Sequence, residues 1–441
     1  MRCSNRLLRE KYRNNFLIEN NLKFPFSNLT KKEWLNLGLL AILIYYVIKI
    51  IFEIYTKNTF MVFGGDFLSF WSAGYLANKY GYKAVYDLNQ ISSIEYLYIP
   101  KPLNVDNYQF IGLPTIFLPI FLTPFQLLAI FPLPISFIVW CIINFFGYIL
   151  YLYWFSYRLN LKINKKIILI FLLFFPFYIS FYWGQIGLFL LIPIGEFYIS
   201  FINNKFYKAG FWLSILLIKP QVLFLIILYL LWQKKWKCII SFSLSSSIII
   251  IISLFLSGLS GIILWLKLLI KVSSTNIRSI GAMGMLNWRM VGLTINQLFN
   301  TSIGNWVVII GILFTIILLI FILLPYNSDI TNPNIYIAIF AATGLISPHF
   351  HIHSAIILAP FLLITYSKNP NIVYYWIFYP ALFDFITNLY LISIKYIPSI
   401  INPQTQPGFI IGGITFILSI YTLYICKPTI LSNWKLRVKT Y

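Results

Sequence analysis

Asp66 stands in the stretch Gly64-Gly65-Asp66-Phe67-Leu68-Ser69-Phe70-Trp71, just after an apolar run, in a chain with only 11 acidic residues. Two readings of it are open. It can cap a helix, accepting from the Ser69 N–H. It can also act as a general base at a membrane–water boundary, where partial desolvation tunes a carboxyl's proton affinity. All three histidines of the chain lie in Ser347-Pro348-His349-Phe350-His351-Ile352-His353. On a helix, His349 and His353 share a face and His351 does not. A zinc site needs further ligands, and no Cys, Asp or Glu is near them in sequence. Hydrogen bonding to an anionic group is the favoured use. Lys219 has apolar residues on both sides. It either snorkels to an interface or holds a phosphate at a helix break ahead of Pro220. The segment 258–304 carries Lys267, Lys271, Arg278 and Arg289 with no acidic residue, and unpaired cations of this kind suit a phosphate. Glu196 and Asp384 fall inside apolar runs and read as structural hydrogen-bonded groups.

The elements that must position these residues are membrane helices. The 441-residue chain is 60% hydrophobic and 10% charged, with mean hydropathy +0.82, which is too apolar for a soluble protein of this size. Apolar runs of about 17–25 residues match the length of a bilayer-crossing helix, and the alternation of a β-barrel is missing. The net charge of +22 falls in short clusters between spans, so it orients the chain in a membrane rather than binding nucleic acid. Cys3, Cys141, Cys238 and Cys426 are scattered and suggest neither a disulfide framework nor a metal site. No small-residue cleavage site follows the basic N-terminus, which reads as a retained tail.

Charge asymmetry orders the spans. A basic tail, 1–33, is expected in the cytoplasm, followed by a membrane domain, 34–426, and a second basic tail, 427–441, that includes Lys427, Lys435, Arg437 and Lys439. Crossings are expected at 34–55, 134–156, 167–183, 186–202, 238–257, 305–325, 335–347, 351–367, 372–393 and 408–426. The first outer loop, 56–110, balances Lys57, Lys79, Lys83 and Lys101 against Asp66, Asp87, Glu95 and Asp106 and should hold interfacial helices. The Pro-punctuated stretch 112–134 reads as an outer or re-entrant element. A re-entrant helical hairpin should break at Lys219-Pro220. The later outer loop, 258–304, contains a stretch, 265–274, that reads as an interfacial amphipathic helix. About ten crossings plus the hairpin result. Asp66, the Trp183-Gly184-Gln185 turn, the basic loop and the histidines then share the extracytoplasmic face, as groups of one site would.

In order and spacing these motifs resemble glycosyltransferase family 87 of the GT-C superfamily, the polyprenyl-phosphate-sugar-dependent mannosyltransferases. The resemblance rests on Asp66-Phe67, Phe70-Trp71, Ala73-Gly74, Gly81 with Tyr86-Asp87, Gly184-Gln185, Ala209-Gly210, Lys219-Pro220-Gln221, Asn287, Ser347-Pro348 and His353. It covers roughly residues 60–365. One departure stands out: the family places an acidic residue before its His, where this chain has His349-Phe350-His351-Ile352. The resemblance implies an all-α, GT-C-type fold and an inverting hexosyl transfer at the outer face of the cell membrane. Mannose would move from a polyprenyl-monophosphate donor to a lipid-linked or surface glycan acceptor. By similarity Asp66 is the base, and His353, His349, Lys219, Arg289 and Gln185 bind the donor phosphate. Asn287, Tyr86 and Lys271 are further candidates. No cofactor or metal is expected, no nucleotide-binding motif is found, and the partners are the sugar donor, the acceptor and membrane lipids, with no nucleic acid. A transporter or flippase of lipid-linked sugars, suggested by the broken helix and the polar residues inside spans, and an O-antigen-ligase-like transferase are the alternatives.

Overall fold

The computed structural model describes residues 29–57, 59–99, 113–274, 284–326, 329–396 and 408–427. Cys3, Lys101, Asp106, Arg278 and most of both basic tails lie outside them. The described residues form helices joined by turns, with no strand among them. The chain divides after Tyr45. In the first unit the helix Lys31–Tyr55 opens with a capping box: the Glu33 carboxylate accepts from the Thr30 N–H at 2.7 Å, and the Thr30 hydroxyl accepts from the Glu33 N–H at 3.3 Å. The second unit, Tyr46–Tyr441, carries everything described below.

Helices occupy the expected places, but few are long. Four are long and apolar enough to cross a bilayer: Lys31–Tyr55, Leu133–Arg158, Trp236–Lys271 and Ile303–Leu323. Their faces are divided by i, i+3, i+4 spacing. In Leu133–Arg158, for example, Phe137, Trp140, Tyr148 and Phe155 are buried while Ile135, Ile138, Ile142 and Leu150 are exposed. Such a face is costly in water and matched by acyl chains. The chain is therefore an all-α membrane protein. Ten crossings are expected from the sequence; length and composition support four among the described residues, or five if one bent pair is a single span.

Two expectations change. The 167–183 span is bent by 59° into Lys165–Leu172 and Phe175–Trp183. Pro176, in the first turn of the second piece, has no N–H to bond back across the break. The loop expected from residue 258 begins instead as helix. Trp236–Ser274 passes through one non-helical residue, Gly258, and continues over residues read as loop. The part after Gly258 is latched to residues 113–118: the Trp265 indole N–H donates to the Ile116 carbonyl at 2.9 Å. The Lys219-Pro220 break does occur, between Phe206–Ile218 and Pro220–Trp232.

Two glycines let the helix Gly65–Tyr80 sit against the turn after Phe175–Trp183. Gly64 precedes it with φ 80°, and Gly184 ends the other helix with φ 72°. A Cβ on Gly184 would lie 2.6 Å from the Phe67 Cβ, and one on Gly64 would lie 2.6 Å from the Phe137 ring. Gly184→Ala therefore combines left-handed strain with overpacking, about 2–4 kcal/mol of destabilisation. A lowered melting temperature in detergent, with a parallel loss of activity, is the expected result.

Candidate active site

Asp66 falls in the first turn of Gly65–Tyr80, but it does not cap the helix. Gly64 is the cap, with no side-chain capping bond. The Asp66 carboxylate turns outward and accepts from the Gln185 amide at 2.5 Å. Three bonds hold Gln185 there: the Gln185 N–H donates to the Ser180 carbonyl at 2.7 Å, the Trp140 indole N–H to the Gly184 carbonyl at 2.9 Å, and the Gly64 N–H to the Tyr182 carbonyl at 2.9 Å. The helix that carries the acid and the turn that carries its partner are thus tied together by one main-chain bond, from the Gly64 N–H to the Tyr182 carbonyl.

Lys219 owes its position to Pro220. A residue before proline is pushed out of the helical region, and Lys219 has φ −142°, ψ 73°. Its ammonium leaves the broken helix and reaches Nε2 of His353 at 3.0 Å and the Ser354 hydroxyl. An ammonium only donates, so Nε2 of His353 accepts and its proton sits on Nδ1. Nδ1 is buried with no protein partner.

The histidine segment is not a helix, contrary to the expectation that His349 and His353 share a helical face. Pro333–Ile346 ends at Ser347, and 3₁₀ geometry begins only at Ile352. Between them Pro348 and His349 form a turn, and residues 285–289 brace the segment. The Leu286 N–H donates to the Phe350 carbonyl at 3.2 Å, and Met285 and His351 form an isolated antiparallel bridge. The Asn287 amide donates to the Ser347 carbonyl at 2.8 Å while its oxygen caps Trp288–Phe299 through the Met290 N–H at 2.9 Å. Arg289 donates to the Pro348 carbonyl at 3.3 Å and meets Nε2 of His349 at 3.1 Å. All three rings consequently reach one cavity, with His351 stacked on His353 at 5.6 Å between centroids.

That cavity, about 380 Å³, is lined by Asp66, Gln185, Lys219, His349, His351 and His353, a volume typical of sites for small polar ligands. Met61, Val62, Phe70, Ile116 and Phe117 add an apolar wall. Of the expected site residues, Asp66, Gln185, Lys219, His349 and His353 line it. Arg289 stands behind His349. Asn287 is buried and braces the histidine segment rather than reaching the cavity. Tyr86 is behind the apolar wall, its hydroxyl donating to the Phe117 carbonyl at 2.9 Å. Lys271, near the end of the helix broken at Gly258, is not part of the lining.

The sequence reading did not place Gln221, which lines the cavity and donates to the His349 carbonyl at 3.2 Å; its signal was its position in Lys219-Pro220-Gln221. Ser69 and Ser354 carried no signal of their own. Glu196 and Asp384 lie outside the cavity: Trp154 donates to Glu196 at 3.3 Å, and Lys49 pairs with Asp384 at 2.6 Å.

Burial pushes the Asp66 carboxyl up to about 6, against the opposing pull of the Gln185 amide and the Lys219 ammonium. The acid is thus mostly ionised near neutrality, yet its conjugate acid forms at little cost, as a proton acceptor requires. Among the described residues, no three or more His, Cys, Asp or Glu side chains are placed close enough together to hold a metal ion.

Asn287→Ala removes a helix cap and the brace on Ser347 together. About 1–2 kcal/mol of stability should be lost, read as a lower melting temperature, with activity falling further because the histidines are released.

No curated protein and no solved structure matches the chain. A family model does, over residues 116–348, more than half of the chain. The matched stretch includes Gln185, Lys219, Asn287 and Arg289; the histidines begin one residue after it, Asp66 lies 50 residues before it, and all reach the same cavity through the fold. The chain belongs to glycosyltransferase family 87 and is a membrane glycosyltransferase.

Proposed function

We propose that this glycosyltransferase is an inverting hexosyltransferase, with mannose the expected sugar, and that it draws on a polyprenyl-monophosphate donor at the extracytoplasmic face of the cell membrane. The observation that carries this reading is one ionisable carboxylate, Asp66, in the same cavity as the Lys219–His353 pair. The acceptor is a hydroxyl of a lipid-linked or surface glycan. Its oxygen attacks the anomeric carbon from the side opposite the phosphate, and its proton passes to Asp66. The bond from the anomeric carbon to the phosphate oxygen breaks, both electrons leave with that oxygen, and polyprenyl phosphate departs with one additional negative charge. The Lys219 ammonium, held by Nε2 of His353, stabilises that charge, and Arg289 adds positive potential through His349. Gln185 keeps one Asp66 oxygen oriented while the other faces the substrate. Apolar faces on the long helices suit a donor whose tail stays in the bilayer. The cations on the phosphate leave no step that requires a metal.

The direct test is transfer of labelled mannose from a polyprenyl-phosphate mannose by the purified protein, with the product identified by mass. Asp66→Asn keeps the shape and removes the base, so a loss of about 100- to 10,000-fold in kcat is expected; transfer at the wild-type rate would remove Asp66 from this role. The rate should also fall as pH drops through about 6, because protonated Asp66 cannot accept the hydroxyl's proton. That acid limb should be missing from the residual activity of the Asn variant. His353→Ala should raise the donor KM about tenfold or more, and EDTA should leave transfer unchanged. Inhibition by EDTA that a divalent ion restores would overturn the metal-free proposal.

A further inference from the structure

Glu95 is a buried acid with no role in the chemistry above. It ends the helix Leu88–Glu95 and is 0% exposed. One carboxyl oxygen accepts from the Leu113 N–H at 3.0 Å, and the other has no protein partner among the described residues. Around it is a compact polar knot. The Ser69 hydroxyl lies against the Leu113 carbonyl at 2.6 Å and the Thr115 hydroxyl at 2.8 Å, and the Thr115 hydroxyl reaches the Ser69 carbonyl at 3.2 Å. Ser69 is one turn along the helix from Asp66, and Ser69 and Leu113 both line the cavity.

We propose that Glu95 is a positioning residue for the acceptor: it holds the Leu113 end of the Leu113–Phe117 wall, which Ser69 and Thr115 fasten to the helix that carries Asp66. This rests on the transfer reading above. The cavity's cations, Lys219 and the histidine cluster behind which Arg289 stands, belong to the phosphate. The Leu113–Phe117 wall carries no cation, and in an in-line displacement the attacking hydroxyl must come from the side away from the phosphate. The acceptor therefore meets Asp66 from this wall, and the wall's position sets the distance of attack.

Glu95 suits the task as a neutral acid. Among the described residues no cation acts on it, the C-terminal end of a helix disfavours an anion, and Asp66 is the ionisable group that does. Burial raises its carboxyl to about 8. A second carboxylate here would repel Asp66's charge and raise the base above its useful range, so neutrality of Glu95 also keeps Asp66 ionisable.

The test compares wild type, Glu95→Gln, Glu95→Ala and Thr115→Val, using a polyprenyl-phosphate mannose as donor and octyl α-mannopyranoside as acceptor probe. Glu95→Gln preserves shape and neutrality and should hold both KM values within about threefold. Glu95→Ala should raise the acceptor KM about tenfold or more while the donor KM stays within about twofold. Thr115→Val, which loosens the same knot, should shift the acceptor KM in the same direction. An equal rise in donor and acceptor KM, no rise in either, or a Gln variant as impaired as the Ala variant would overturn the proposal. Should the Ala variant fail to fold, an impaired Gln variant or an unmoved acceptor KM in Thr115→Val would still sink it. Wild-type protein that transfers nothing from the donor removes the transfer reading; a wild type that transfers, with Asp66→Asn inactive and no split at Glu95, removes this inference alone.

Discussion

The hydrogen bond from the Gln185 amide to Asp66 joins segments 119 residues apart, and the arrangement of the cavity follows from it. A carboxylate in an apolar cavity is costly unless something donates to it. Gln185 can do so only because Gly64 and Gly184 allow two helices to meet at their ends with backbone conformations that a side chain would strain. The bond orients the acid and leaves one oxygen available. A full ion pair in its place would hold the carboxyl well down its usual range and weaken it as a proton acceptor.

The opposite charge is managed by separation. Lys219 acts on Asp66 through space but spends its hydrogen bonds on His353 and Ser354. It therefore stays charged without quenching the base. The neutral His353 that results accepts from the ammonium and adds no charge of its own. A cavity with a carboxylate, an ammonium and neutral rings can accept an anionic phosphate and a neutral hydroxyl together, which neither an acidic nor a wholly basic pocket does well.

Buried ionic groups elsewhere serve the frame. Lys49 pairs with Asp384 and lies over the Tyr182 ring, whose hydroxyl donates to Glu53 at 3.0 Å. The Tyr182 carbonyl in turn holds Gly64. This cluster fixes the residue against which the Asp66 helix begins. The role read for Asp384 from sequence, a structural group within an apolar run, agrees with that position.

Some of this was legible in the residues. Composition and run length determine the class, because no arrangement of so apolar a chain hides its surface from water. Lys219-Pro220 determines a break, since proline forbids the helical bond whatever surrounds it. The rarity of Asp and His marked out Asp66 and His353, and apolar neighbours with a following proline marked out Lys219. Tertiary structure alone decided the rest. His349 and His351 enter the cavity because Met285 and Leu286, some 60 residues away, pair with His351 and Phe350, and no local periodicity encodes such pairing. Asn287 looked like a ligand and proved to be a brace, and Glu95 looked like loop charge and proved to be buried. A residue's type sets which bonds it can form; whether a polar side chain meets substrate, backbone or a second acid depends on which distant segment packs against it, and only the assembled fold supplies that neighbour.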